Sequence, residues 1–163
     1  ETDIALQICQ AGNIRTALMC LDLAVDNNQF DRFLIATDTP TGTGVMPLGM
    51  IKSVAEMSTL SDYPPEWLIG SATGNVAKIY GLNSGFIAKG RDADVLLIDA
   101  PLGGSKKTAL EALKHGDIAS VGSVFTAGIP RFIGRSRNTP PMTRKVKIIR
   151  NLVLNEFSGA SHV

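Results

Sequence analysis

The sequence has few of the residues that build metal and disulfide frameworks. Its 163 residues include two cysteines and two histidines. Cys9 and Cys20 have no second pair beside them, so they predict neither a zinc knuckle nor a disulfide framework but two reduced, mostly buried thiols. His115 ends a predicted helix and His162 is next to last, and neither has the surroundings of a ligand. Because catalytic zinc usually takes about three protein ligands, the chain alone does not complete such a site.

Long apolar runs and an excess of charge of one sign are also missing. No run approaches the roughly 18 apolar residues that span a bilayer, and the start lacks a basic, apolar signal region. A net charge of +1 gives no global attraction to nucleic acid or membrane. With 44% hydrophobic and 19% charged residues, the composition is that of a folded globular protein, and the cytoplasm is the simplest location.

One local segment departs from this charge balance. Seven basic residues and no acidic ones lie between Arg131 and Arg150. Such a stripe could bind phosphates, but no aromatic platform or recognised nucleic-acid motif accompanies it. We therefore expect a solvated or subunit-facing surface and no nucleic-acid partner.

The first residues predict a strand, helix, strand unit. Residues 4–9 are mostly apolar, Asn13 is typical of a helix N-cap, and residues 32–37 contain the run 33–36, which is hydrophobic on both faces, as in a strand covered on each side. Such a unit implies two parallel strands, and the working residues of α/β folds lie at the carboxyl ends of their strands. Gln10 and Asp38 occupy those ends.

The rest of the chain predicts a helical layer and then a β module that begins at Gly85. Helices are expected at 48–59, from 61 onward, at 75–79 with Asn75 as the cap, and at 106–114. Strands are expected at 86–88, 93–99, 121–125 and 131–133, followed by a helical segment that ends near residue 154. Three or four strands make an incomplete sandwich.

Asp38 is the strongest candidate for chemistry. A carboxylate at the mouth of a buried strand, before a glycine-containing loop, is where a metal ligand or general base belongs. An Asx-turn before Thr39-Pro40 explains the same residue about equally well. The loop at 41–44 could hold an anion with backbone N–H groups, but it lacks the Gly-Lys-Ser/Thr of a P-loop, so a plain turn is favoured.

The order of several motifs resembles the amidohydrolase superfamily. These are Asp38 at a strand end, Ala72-Thr73-Gly74-Asn75 with Ala77, and Gly85-x-Ile87-x-x-Gly90-x-x-Ala93-Asp94 before the apolar run at 95–99. More closely, residues 6–149 resemble the enamidases of that superfamily. The segments that carry this resemblance are Gln10-x-Gly12-Asn13, Asp38-x-Pro40-x-Gly42-Thr43-Gly44, Pro47-Leu48-Gly49, Tyr80-Gly81-Leu82-Asn83 and Ser136-Arg137-Asn138-Thr139-Pro140-Pro141.

The resemblance implies an α/β fold that is part of a larger one. Residues 1–84 would be the last two strands and helices of a TIM-like (β/α)8 barrel, 85–135 part of a β-sandwich built from both chain ends, and 136–163 a C-terminal segment. The family's His-x-His, its bridging carboxylate or modified lysine and its two later histidines have no counterpart here. We expect them upstream of Glu1, which is not an initiator methionine.

The resemblance also implies an activity and a site. It implies hydrolysis of a cyclic amide, 6-oxo-1,4,5,6-tetrahydronicotinate, by an enzyme that holds two divalent metals, zinc and/or iron, and forms homo-oligomers when complete. Asp38 matches the aspartate that binds metal and handles the proton of the attacking hydroxide. Gln10, Thr41 and Thr43 are candidates for contacts to substrate amide or carboxylate groups.

Two alternatives stay open. Dihydroorotase-, hydantoinase- and deaminase-like enzymes share the Asp38 and 85–94 patterns, so the substrate could differ. The chain could also be a non-catalytic α/β binding module in which Asp38 is a turn residue and the basic stripe docks a partner.

Overall fold

The computed structural model describes residues 3–9, 12–39 and 46–134. Within these ranges the chain forms two sheets and a layer of helices. In chain order the elements are β1 (Leu6–Cys9), α1 (Ile14–Asp26), a 3-10 turn (Phe30–Arg32), β2 (Phe33–Ala36), α2 (Gly49–Leu60), α3 (Pro65–Ala72), α4 (Gly74–Tyr80), β3 (Val95–Asp99), α5 (Ala109–Lys114), β4 (Ser120–Thr126) and β5 (Ile129–Ile133). The predicted helix near residue 154 lies outside these ranges.

The predicted strand, helix, strand unit is confirmed. β1 and β2 are parallel, with Leu6 opposite Phe33 and Cys9 opposite Ala36. Helix α1 begins where the sequence predicts, because the Asn13 side chain accepts a hydrogen bond from the Thr16 N–H at 3.1 Å. The carboxyl ends of the two strands therefore lie side by side.

The core lies between β2 and the helices. β2 is buried on both faces, as its continuous apolar run predicts, and belongs to one apolar cluster with side chains of α1, α2, α3 and α5. The fully buried large side chains are Leu21, Phe33, Leu34, Ile35, Met57, Leu68 and Leu113. α5 and the residues before β4 belong to the same core as the N-terminal unit, because Leu113 and Ala119 are part of its main cluster.

The second sheet is antiparallel, in the order β3-β4-β5. A two-residue turn joins β4 to β5, and both of its residues, Ala127 (φ 51°) and Gly128 (φ 77°), have the left-handed conformation that matches the twist of a hairpin. Other β predictions need correction. Residues 86–88 form no strand, and the strand expected from residue 93 begins at Val95.

The prediction that Asn75 caps α4 is wrong. Thr73 occupies the N-cap position, the helix begins at Gly74, and the Asn75 side chain bonds to residues far away in the sequence. Helix α5 is also shorter than predicted. It begins at Ala109, because Thr108 and Glu111 form a capping box there. No helix in the described part of the chain is long and apolar enough to cross a membrane.

Candidate functional site at the carboxyl ends of the parallel strands

Asp38 lies at the edge of the parallel sheet, two residues beyond the end of β2. Its side chain is exposed. Because Ala36 pairs with Cys9, the chain segments that leave β1 and β2 start next to each other. The structure thus places Asp38 at the strand end where the sequence predicts it, on the edge where α/β folds hold their working residues.

The backbone of Asp38 is unusual. Its φ is +53°, in the left-handed region that L-residues rarely occupy. Aspartate and asparagine tolerate this conformation better than most residues, and such backbone conformations cluster at functional sites. The chain therefore turns sharply at this carboxylate instead of extending β2 past it.

The start of α2 lies against the same strand end. A side chain at Gly49, the first residue of the helix, would lie 3.4 Å from Cγ2 of Thr37, which directly precedes Asp38. Leu48 enters the helix with φ +57°. Asp38 and Leu48 are therefore both left-handed, one where the chain leaves β2 and one where it enters α2.

Three of the predicted site residues, Gln10, Thr41 and Thr43, lie outside the described residues, and their roles stay predictions. Cys9, the last residue of β1, is exposed, which corrects the expectation of two mostly buried thiols. Within the described ranges β1 pairs with β2 alone, so it lies at the sheet edge and its side chains receive little cover.

The described residues contain no group of three or more His, Cys, Asp and Glu side chains that could hold a metal ion. Asp38 offers one carboxylate, which suits a divalent cation as a single ligand. Several other aspartates have structural partners. Asp31 pairs with Lys78, Asp92 accepts from the Asn83 side chain, Asp94 accepts from the Ala127 N–H, and Asp99 accepts from the Ala100 N–H.

The opposite end of the parallel strands is tied to α4. The Asn75 side chain donates to two carbonyl oxygens, those of Phe30 at 2.8 Å and Phe33 at 3.0 Å. The Tyr80 hydroxyl donates to Oε1 of Gln7 on β1 at 3.1 Å. Lys78 forms an ion pair with Asp31, and this bond lowers the pKa of the Asp31 carboxyl. Sequence reasoning missed these ties, because none of them joins near neighbours in the chain.

The motif from Gly85 to Asp94 has an architectural role in this structure. The Asp94 carboxylate accepts from the Ala127 N–H at 2.8 Å, and the Ala93 carbonyl accepts from the Gly128 N–H at 3.0 Å. These bonds fix the turn between β4 and β5. Gly85 packs directly on α4. The motif therefore joins the helical layer to the antiparallel sheet.

A mainly apolar cavity of about 430 Å³ lies between the helices and the antiparallel sheet. Met50, Val54, Ile69, Leu96 and Phe125 are among its lining residues, and Asp38 is not. Its one carboxylate, Asp94, already bonds to the Ala127 N–H. Among the residues that the structure describes, the cavity therefore does not include Asp38.

Comparison with known proteins confirms the resemblance read from the sequence. The chain is 39% identical to enamidase of Eubacterium barkeri over 149 residues. The aligned region covers 91% of this chain and 38% of that protein. It also matches a crystal structure of enamidase, described as a member of the amidohydrolase superfamily, with a TM-score of 0.80 and 38% identity over 88% of this chain and 37% of that one. The chain thus spans well under half of the relative's length. No protein-family model matches it.

Proposed function

We propose that this chain, similar in sequence and fold to part of enamidase, is the carboxy-terminal part of a metal-dependent amidohydrolase that hydrolyses a cyclic amide. The observation that carries the proposal is the position of Asp38. Its carboxylate lies in a left-handed turn at the carboxyl end of a buried parallel strand, within a fold that superposes on enamidase with a TM-score of 0.80.

In this proposal residues 1–84 supply the last two strands and helices of a barrel, 85–135 supply part of a sandwich, and 136–163 form the C-terminal segment. Two features support an incomplete assembly. β3 pairs only with β4 in the described residues, and its Leu96 and Leu97 are 51% and 47% exposed. An apolar edge strand of this kind is normally covered in a finished protein.

The chemistry proposed for Asp38 is proton transfer during hydrolysis of the ring C–N bond. The carboxylate would accept a proton from the attacking water and deliver it to the ring nitrogen as the C–N bond breaks, so that the opened ring carries a carboxyl group on the former carbonyl carbon and an NH2 group at the other end. Bound divalent metal, zinc and/or iron as a pair, would polarise the carbonyl and lower the pKa of water. Since the described residues offer Asp38 as a single ligand, the others would come from the rest of the protein.

The proposed substrate is 6-oxo-1,4,5,6-tetrahydronicotinate, a cyclic enamide. Three residues are proposed to contact its amide or carboxylate group. Gln10 directly follows β1 in the sequence, and Thr41 and Thr43 follow Asp38. Homo-oligomer formation, a cytoplasmic location and the absence of nucleic-acid and membrane partners stay predictions.

The experiment is a chimera in which this chain replaces the matching segment of the Eubacterium barkeri enzyme. We expect the chimera to open the cyclic enamide and to lose at least about 100-fold in kcat on Asp38→Asn, because a positioned acid–base group contributes roughly that much. Asp62→Asn changes an exposed acid in the loop between α2 and α3 and serves as the matched control. If the chimera folds but hydrolyses dihydroorotate or hydantoin instead, the proposed reaction class stands and the proposed substrate is wrong. A folded chimera that turns over no cyclic amide would contradict the proposal.

A further inference from the structure

The geometry points to Asn75 as a positioning residue for Asp38. Its side-chain amide fixes the chain where it enters β2, and β2 carries that constraint to the carboxylate at its other end. This inference rests on the proposed function and adds a residue to it. The resemblance that identifies Asp38 assigns no role to Asn75.

The Asn75 amide has one consistent orientation. Both groups that face its nitrogen are carbonyl oxygens, those of Phe30 at 2.8 Å and Phe33 at 3.0 Å. Only the NH2 end of the side chain can bond to two acceptors, and its two hydrogens serve one carbonyl each. Phe30 and Phe33 enclose the 3-10 turn that precedes β2, and the Phe33 N–H bonds back to the Phe30 carbonyl. The amide thus bonds to both ends of one turn, and we call this pair of hydrogen bonds the clasp.

The helix that carries Asn75 is itself held in place. Gly74, the residue before it, approaches the Phe86 ring so closely that an added Cβ would lie 3.0 Å from it. A Cβ added to Gly85 would lie 2.6 Å from Cβ of Ala77, which also lies on α4. These contacts leave the amide little freedom to follow the turn if the turn shifts. The clasp therefore ties the turn to a helix that is itself packed in place.

β2 is a suitable element to carry the constraint. The extended part of this path is β2 itself, Phe33–Ala36, which spans roughly 10 Å and ends two residues before Asp38. Phe33, Leu34 and Ile35 are at most 2% exposed, so the strand is packed on both faces. Close-packed interiors transmit displacements because they have no space to absorb them. A shift of about 1 Å in a reacting group can cost roughly 100-fold in rate.

Lys78 provides the matched control. It also lies on α4, and it ties the helix to Asp31 within the same 3-10 turn. Its bond joins exposed side chains, 58% and 54% accessible, and does not involve the carbonyls at the two ends of the turn. Lys78→Ala therefore removes an ion pair between α4 and the turn but keeps both hydrogen bonds of the clasp.

The test compares Asn75→Ala, Asn75→Asp and Lys78→Ala in the chimera. We expect Asn75→Ala to lower kcat at least tenfold with KM unchanged within twofold, and Lys78→Ala to change kcat less than twofold. Asn75→Asp keeps the shape of the side chain but directs a carboxylate at two carbonyl oxygens. Its kcat, divided by that of the unsubstituted chimera, should rise as pH falls, because the protonated carboxyl regains one donor. A residue that only packed would not give that pH-dependent ratio.

Two outcomes separate this inference from the proposed function. An inactive unsubstituted chimera overturns both. An active chimera in which Asn75→Ala lowers kcat no more than Lys78→Ala, or in which the Asn75→Asp ratio does not change with pH, overturns the inference alone. If neither Asn75 variant folds, the residue is needed for folding, and the positioning role is overturned as well.

Discussion

Gly85 and Ala77 approach so closely that a Cβ placed on Gly85 would lie 2.6 Å from Cβ of Ala77 and 2.7 Å from the Thr73 carbonyl oxygen. Gly85 also has a left-handed backbone, with φ +79°. It thus meets two requirements that glycine alone satisfies: no side chain at a backbone contact, and a conformation that other residues adopt at a cost. The segment after α4 can lie against the helix only because this position has no Cβ.

Gly85→Ala should therefore destabilise the chain more than Gly90→Ala does. Gly90 has nearly the same conformation, φ +87°, but a Cβ there would meet nothing within 4 Å. The Gly90 variant should lose about 1–2 kcal/mol for the left-handed backbone, and the Gly85 variant that amount plus about 1–3 kcal/mol for overpacking. Urea unfolding of both variants measures the difference. Equal losses would show that the contact with Ala77 relaxes without cost.

The sequence predicts elements whose cause is local. Asn13 starts α1 through a bond to Thr16, three residues away, and the apolar run of β2 defines a covered strand by itself. The Asp38 edge follows, because the carboxyl ends of neighbouring parallel strands lie together. This much of the candidate site can be predicted from the amino-acid sequence alone.

Two of the errors, at Asn75 and at residues 86–88, come from tertiary contacts. Asn75 has the residue type of an N-cap, yet its amide bonds to carbonyls 45 and 42 residues earlier, and nothing in the neighbouring sequence indicates them. Residues 86–88 have the composition of a strand. The close approach of Gly85 to α4 and the contact of the Phe86 ring with Gly74 direct that segment onto a helix instead. Tertiary packing overrode local propensity in both places.

Lys114 should contribute more to stability than an ordinary surface lysine. Its ammonium donates to three carbonyl oxygens, those of Ser58 at 2.9 Å, Ser61 at 2.6 Å and Tyr63 at 2.9 Å, and so satisfies carbonyls at and beyond the end of α2. Lys114→Met keeps most of the stem and removes the donors. We expect a loss of about 2–3 kcal/mol, since hydrogen bonds to charged groups contribute about 1.5–3 kcal/mol each and are not additive.

The control for Lys114 is Lys52→Met. Lys52 is 44% exposed and forms an i,i+4 pair with Glu56 at 3.5 Å, a pair of a kind that contributes about 0.3–0.5 kcal/mol. Thermal and urea unfolding of the two variants should therefore differ clearly. A Lys114→Met variant no less stable than Lys52→Met would mean that water replaces the ammonium at those carbonyls.

The stability that the Lys78–Asp31 pair contributes should be lost at acid pH. The hydrogen bond from Lys78 lowers the pKa of the Asp31 carboxyl below its ordinary value of 3.8. A carboxyl with a depressed folded-state pKa stabilises the fold fully above its unfolded pKa, and this contribution is lost as pH falls through the folded pKa. The stability difference between the chain and its Lys78→Ala variant should therefore be constant at neutral pH and vanish below the lowered pKa.

The size of that difference should be small. Both side chains are more than half exposed, so solvent screens the pair, and we expect less than about 1 kcal/mol, decreasing with added salt. Urea unfolding at several pH values between about 2 and 7 measures it. A difference that grows as the pH falls would contradict the assignment of the depressed pKa to this pair.

Asp38 allows folding and activity to be separated at one position. Its left-handed backbone, φ +53°, suits asparagine about as well as aspartate and suits glycine better. Asp38→Asn should therefore leave the stability of the chain within about 0.5 kcal/mol, because it keeps the side-chain shape and the backbone preference, and Asp38→Gly should adopt the same turn without backbone strain. A general base needs the carboxylate, so both variants should lose activity in the chimera despite folding normally. A residue with only a turn role would differ in activity alone, because the Asp38→Asn chimera would then keep its turnover. Unfolding curves and turnover, measured on the same preparations, distinguish the two.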